Sequence, residues 1–308
     1  MRREEILAMG HVALVIGGDS AEREVSLRGG EAVARALEAL GVQFSVVDGP
    51  RRLLEQIAAG HYDRVFNLLH GRGGEDGALQ GALRIYGVPV TGSGVLGSAL
   101  TMDKLQTKRI WMACGLPTPP WRLATAAFDA PAIIEALGLP LFVKPAREGS
   151  SIGMSRVDRG EDLGPAIVRA QEYDQQVLIE RLIDGPEFTA AVLDDEVLPL
   201  IGLKPAREFY DYAAKYSSGD TEYRCPCGLP EAQEATLARL CRQAFGVVGA
   251  RGWGRVDLML DRQGQPWLLE VNTTPGMTER SLVPKAAKAA GIEFEELVWR
   301  ILKTSRAD

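Results

Sequence analysis

Residues 253–272, WGRVDLMLDRQGQPWLLEVN, alternate apolar and polar side chains on both sides of a Gln-Gly pair. That pattern fits an antiparallel hairpin with one face in a core. If the loop is even in length and centred on Gln263-Gly264, Asp257 stands opposite Glu270 and Arg255 opposite Asn272. Side chains two apart on a strand share a face, so Arg255, Asp257, Glu270 and Asn272 form one polar cluster. Val256, Leu258 and Leu260 then face the core together with Val271, Leu269 and Trp267. A loop of odd length would slip the register by one and separate Asp257 from Glu270. Two carboxylates and an amide oxygen at cross-strand distance are destabilised unless a cation lies between them. Hard oxygen donors of this kind suit magnesium, with phosphate oxygens completing its shell. An ordinary solvent-facing hairpin carries the same mixture of Arg, Asp and Glu, so the cluster needs corroboration elsewhere.

The rest of the chain supplies layers for that core. Its 308 residues, 46% hydrophobic and 25% charged, suit one large domain or two ordinary ones. Residues 11–16 (HVALVI) read as a buried strand ending at Gly17-Gly18, and residues 25–40 as a helix that Gly41 terminates. Strands recur at 43–47 and 64–69 around a helical segment near 52–59, an alternation that implies a mostly parallel α/β sheet in roughly the first 96 residues. A helix at 103–114 and the Pro-rich stretch 117–120 follow, the latter a candidate linker. Further strands are expected at 139–145, 176–183, 187–193 and 197–203, a loop near 205–228, and helices near 231–248 and 293–303.

Composition removes several function classes. A net charge of −6 opposes attraction to nucleic acid or anionic membranes, and no apolar run approaches the ~18 residues of a membrane span. Glu4-Glu5, His11 within the apolar stretch and Gly17-Gly18-Asp19 at the place of a cleavage site argue against an export signal, so the cytoplasm is the expected compartment. Four cysteines with a single C-x-C pair do not complete a zinc site. Walker A, G-x-G-x-x-G after the first strand and H-E-x-x-H are all missing. Three other features could hold phosphate: Lys104, Lys144 at a strand end, and the amides of the loop 148–153 (EGSSIG). The chain holds 34 glycines against the ~22 of average usage, and many lie in such loops. Loops 19–26 and 70–77 follow the first and third strands, where α/β sheets present ligands. Taken singly, Glu22 reads as a helix-start acid and His70 as a structural histidine.

Jointly the motifs are more specific. GGDSAEREVSLRGG (17–30), NLLHGRGGEDGALQG (67–81), TGSG (91–94), MDKLQTK (102–108), VKPAREGSSIGMS (143–155), LIER with GPEFT (178–189), FYDYAAKY (209–216), GWGRVDLMLD (252–261) and LEVNTTPGMTERSLVP (269–284) occur in the order seen in one family. The chain resembles the D-alanine:D-alanine ligases of the ATP-grasp superfamily. The resemblance implies a Rossmann-like α/β domain over 1–96, then an ATP-grasp α+β unit with a central lobe over 97–183 and a C-terminal lobe over 184–308. It implies a reaction in which ATP phosphorylates one D-alanine carboxylate and the amine of a second D-alanine attacks the acyl phosphate, making the dipeptide for peptidoglycan. Glu22 would pair with the first ammonium and Arg255 would stabilise the tetrahedral oxyanion. Ser150 and Tyr216 would fasten the loop 205–220 over the site as a linked hydroxyl pair. Val25, His70 and Gly276 would line the substrate site, with Ser281 and Leu282 receiving the second carboxylate. Lys104, Lys144 and Lys215 would contact phosphates, Glu180 and Glu187 the adenine and ribose end, and Ser151, Arg181 and Phe209 further parts of ATP. Asp257, Glu270 and Asn272 would hold two Mg2+ or Mn2+ ions. A homodimer is also implied. The alternatives are an ATP-grasp ligase for another acid and amine, such as D-alanine with D-lactate, and a non-catalytic nucleotide binder; the intact metal set opposes the second. Tyr216 after Lys215 matches the dipeptide-forming type, while Leu182 departs from the bulky aromatic of some relatives.

Overall fold

The computed structural model describes residues 2–124, 128–149, 151–194, 196–204 and 222–307. Its first layer grows from β1 (Val12–Ile16), which lies between β2 (Phe44–Asp48) and β3 (Arg64–Asn67), all parallel. The uninterrupted run VALVI suits a central parallel strand, because both faces of such a strand are covered. Val12 and Leu14 pack with α2 (Arg23–Leu40) and with two C-terminal helices, α10 (Leu282–Ala289) and α11 (Phe294–Lys303). Ala13 and Val15 pack on the other side with α3 (Pro50–Ala58) and α4 (Ala78–Ile85). The end of the chain thus returns to the first sheet. The stretch before β1, to which the sequence assigned nothing, forms α1 (Arg2–Leu7) and sets Ile6 against the same core. Strand β3 stops at Asn67, short of the expected 64–69, because Asn67 turns the chain: its Oδ1 accepts from Leu69 N and its Nδ2 donates to Gly74 O.

Two antiparallel sheets follow α5 (Val95–Met102) and α6 (Lys104–Ala113). Asp103 separates these helices and caps the second, its Oδ1 accepting from Gln106 N at 3.1 Å. The first antiparallel sheet has the order β4 (Trp121–Ala124), β7 (Val177–Arg181), β5 (Leu141–Pro145), β6 (Ser155–Val157), and is backed by α7 (Ala130–Leu137) and α8 (Leu163–Gln171). The second has the order β11 (Glu222–Arg224), β10 (Ile201–Lys204), β8 (Glu187–Leu193), β12 (Trp253–Leu260), β13 (Pro266–Asn272), with β9 (Glu196–Val197) added on β8 and α9 (Glu231–Val247) behind. The single strand expected over 197–203 is therefore divided between β9 and β10. No helix among the described residues is long and apolar enough to cross a membrane.

The β12–β13 hairpin pairs Arg255 with Asn272 and Asp257 with Glu270, as its alternation suggests, but by a different route. Leu260 pairs with Pro266, so the loop is 261–265 and odd in length. Asp261 organises it, its Oδ1 accepting from Gln263 N and Gln265 N and its Oδ2 from Trp267 Nε1. A bulge opposite Asp257 and Leu258 then inserts Leu269 as an extra residue and restores the register. This corrects the expected even loop and the expected core face: Leu268, not Leu269, is fully buried with Val256, Leu258, Leu260 and Val271, and Trp267 sits half-buried on Asp261. Leu268→Ala should therefore lower the unfolding free energy by ~2–5 kcal/mol, and Leu269→Ala by under ~1 kcal/mol, measured by urea denaturation. Equal losses at the two positions would contradict the bulge.

Candidate active site

Strand ends from all three sheets converge on two adjoining cavities. The smaller, about 110 Å³, is a polar chamber walled by the loops after β1 and β3, the hairpin and the segment leading into α10. The larger, about 860 Å³, lies between the two antiparallel sheets. Lys104, Glu148, Gly149 and Glu270 border both, so the two cavities share a wall. The larger cleft falls in the range of about 300–1,000 Å³ that encloses drug-sized ligands, whereas the chamber is of a size for small polar molecules.

Glu22, His70, Gly276, Ser281 and Leu282 all line the chamber. Val25 does not; it is buried behind Gly276, where a Cβ would meet its side chain at 3.5 Å. A Cβ on Gly149 would lie 3.2 Å from Glu22 Oε2, so a side chain at that position would crowd the Glu22 carboxylate. His70 is buried with no hydrogen-bond partner for its Nδ1, and burial pushes its pKa down. Ser281 Oγ accepts from Thr278 N at 3.0 Å and stands at the start of α10, whose N-terminal dipole favours an anion. Glu75 was not singled out from sequence. Its Oε1 accepts from Gly71 N at 2.8 Å, and burial, then the neighbouring charge of Glu22, raises its carboxyl to about 8.

The hairpin brings Arg255, Asp257, Glu270 and Asn272 together. Arg255 donates twice to Asp257, 2.8 Å to each oxygen, Asn272 Nδ2 donates to Asp257 Oδ2 at 3.1 Å, and Thr189 Oγ1 to Asp257 Oδ1 at 2.6 Å. Lys104 Nζ lies 3.4 Å from Glu270 Oε2 and donates to Glu148 O. Each acid thus already sits beside a cation, the condition that makes a cross-strand carboxylate pair tolerable.

Lys144, Ser151, Glu180, Arg181 and Glu187 line the larger cleft, with Met154, Met259 and the bulge residue Leu269 as apolar wall. Arg181 Nε is tied to Leu137 O at 2.8 Å, at the end of α7. Glu180 is not the exposed strand-end acid its position suggests. It is buried, with Lys144 Nζ 2.8 Å from Oε2 and Lys108 Nζ 3.0 Å from Oε1. Burial works against its charge, but the two ammonium groups prevail and hold its pKa below the usual range. Ser150, Phe209, Lys215 and Tyr216 lie outside the described residues. Lys108, like Glu75, carried no assigned role; helical spacing was its signal, since it falls four residues after Lys104.

A parallel α/β layer followed by two antiparallel sheets that close on a nucleotide-sized, lysine-floored cleft defines an ATP-grasp enzyme. Residues 110–303 match the family model described as "D-ala D-ala ligase C-terminus". The D-alanine–D-alanine ligase of Alkalilimnicola ehrlichii is 55% identical over 99% of this chain and 98% of its own, and that of Methylococcus capsulatus 54% over 99% of each. Crystal structures of D-alanine–D-alanine ligase from Bacillus anthracis superpose with a TM-score of 0.84, at 33% identity over 95% of this chain and 96% of that one; one of them, at 32% identity over 96% of each chain, is complexed with ATP. The chain belongs to the D-alanine–D-alanine ligase family.

Glu75 carries a pH signature. A carboxyl raised from 4.5 to about 8 binds its proton more tightly in the folded state, so the stability it confers is lost as pH rises across that window. Glu75→Gln should flatten this part of the profile, gaining on the wild type from pH 5 to pH 8 in urea midpoints. Parallel profiles would show that Glu75 titrates normally.

Proposed function

We propose that this protein uses ATP to join two D-alanine molecules into D-alanyl-D-alanine for peptidoglycan. The observation that carries the reading is the shared wall: a chamber suited to small polar substrates adjoins a nucleotide-sized cleft at Lys104 and Glu270. A phosphoryl group can pass there from ATP to a carboxylate without crossing bulk water, which an acyl phosphate requires. The curated relatives bear the D-alanine name for both partners, which favours this reading over the D-lactate alternative.

Glu22 pairs with the ammonium of the first D-alanine, with His70 beside it in the chamber wall. Lys104 and Lys144 take the phosphates of ATP, and Glu187 and the apolar wall around Leu269 take its nucleoside end. The start of α10 at Ser281 and Leu282 receives the second carboxylate, so that the second amine faces the acyl carbon. Arg255, next to the acids, stabilises negative charge on the tetrahedral oxygen. Ser150 and Tyr216 latch the loop 205–220 over the closed site, and Lys215, Phe209, Ser151 and Arg181 complete the ATP contacts.

Asp257, Glu270 and the Oδ1 of Asn272 are hard oxygen donors on one face, and the described residues hold no cluster of three His, Cys, Asp or Glu groups that would form a metal cage by themselves. That donor set fits Mg2+ or Mn2+ whose shell is shared with phosphate oxygens. Two such ions, when bound, neutralise the triphosphate and the charge of the transferring phosphoryl group. A homodimer in the cytoplasm completes the proposal and rests on the family alone.

Incubation with ATP and Mg2+ should release ADP with D-alanine and give only background with L-alanine, read by a coupled ADP assay. ADP formed equally with both enantiomers would refute the assignment.

A further inference from the structure

Lys108 lies one helical turn beyond Lys104 on α6, so the helix presents both ammonium groups on one side. Lys104 reaches the junction of the chamber and the cleft. Lys108 does not border either cavity; its side chain is 0% exposed. Its Nζ sits 3.0 Å from Glu180 Oε1 on β7 and donates to Thr118 Oγ1 at 2.6 Å. Thr118 Oγ1 in turn donates to Leu268 O on β13 at 2.9 Å. A continuous polar path therefore runs beneath the cleft from one antiparallel sheet, through α6, to the other. Trp111, on the next turn of the helix, is fully buried and donates to Ala244 O of α9 at 2.9 Å, which holds α6 in place.

The charge count gives this path a purpose. Lys144 and Glu180 both line the cleft and lie 2.8 Å apart. Left to themselves they would cancel, and the lysine would have little field to offer a phosphate. Lys108 engages the far oxygen of the same carboxylate, which leaves the cluster with an excess of one positive charge on the cleft side. A fully buried ammonium is costly unless it is paired and hydrogen-bonded, and Glu180 and Thr118 meet both conditions here. We infer that Lys108 is a positioning residue of the nucleotide cleft: by holding Glu180 from below, it leaves the charge of Lys144 to the phosphates of ATP and ties the two grasping sheets together. This rests on the ATP reading of the cleft.

The charged groups facing Lys108 are Glu180 from β7, Lys144 from β5 and Lys104 from its own helix. Burial, only partly offset by Glu180, presses its pKa down to about 8, so the excess charge disappears as pH rises through that value.

Calorimetric titration of the full chain with ADP and with adenosine, without divalent metal, separates phosphate recognition from the rest. Lys108→Met should weaken ADP by about tenfold, equivalent to ~1.4 kcal/mol, while adenosine changes far less. Adding Glu180→Gln should restore the ratio of ADP to adenosine affinity, because the uncompensated carboxylate is gone. In the wild type, ADP affinity should fall above pH 8 while adenosine affinity stays level. Equal weakening of both ligands, or a double variant with the ratio of the single one, would reduce Lys108 to structural support and overturn the inference. Should Lys108→Met fail to fold, the wild-type pH titration decides: a drop confined to ADP supports the role, and a level profile refutes it. A wild type that binds no ADP at all would instead refute the ATP reading.

Discussion

Asp257 and Glu270 face one another across β12 and β13, and a carboxylate pair held at that distance has to be surrounded by positive charge. Much of the architecture follows from this requirement. Arg255 closes on Asp257 from the same strand, and Lys104 reaches Glu270 from the first turn of α6. Thr189 from the neighbouring strand and Asn272 donate to the oxygens that remain. The pair stands where the small chamber meets the nucleotide-sized cleft, so the place that most needs cations is also where a phosphoryl group would pass.

The helix α6 distributes charge between the two cavities. Lys104 serves the junction, Lys108 serves the buried underside of the cleft, and Trp111 secures both by anchoring the helix to α9. Around this beam, the four-stranded sheet contributes Lys144 and Glu180, and the larger sheet contributes the acids. The parallel sheet supplies Glu22 and His70 from loops at its strand ends. Glycines permit the closest approaches; at Gly149 any side chain would press on Glu22.

The periodicities that follow local burial were readable in the chain. VALVI is apolar on both faces and became the central parallel strand; Val33 and Leu37 recur at helical spacing and became the inner face of α2. The opposition of Asp257 and Glu270 was reached from an even loop, whereas the protein uses an odd loop and a bulge that cancel. Alternation cannot distinguish those routes, because both leave the two acids on one face; they differ only in whether Leu268 or Leu269 meets the core. The pairing of Lys108 with Glu180 is not legible in the chain for another reason. Each reads as a surface charge beside its own neighbours in sequence, but the fold buries them together, 72 positions apart in the chain. The roles proposed for Ser150, Phe209, Lys215 and Tyr216 rest only on the family motif, as no periodicity marks these residues.

Transfer of the phosphoryl group of ATP to a D-alanine carboxylate, across the wall between the two cavities, leaves an isotopic trace. D-alanine labelled with 18O in its carboxylate, turned over with unlabelled ATP in unlabelled water, should deliver one labelled oxygen to each inorganic phosphate released. That oxygen bridges carbon and phosphorus in the acyl phosphate and departs with phosphorus when the second amine attacks. Phosphate free of the label, measured by mass spectrometry while dipeptide accumulates, would rule out an acyl phosphate.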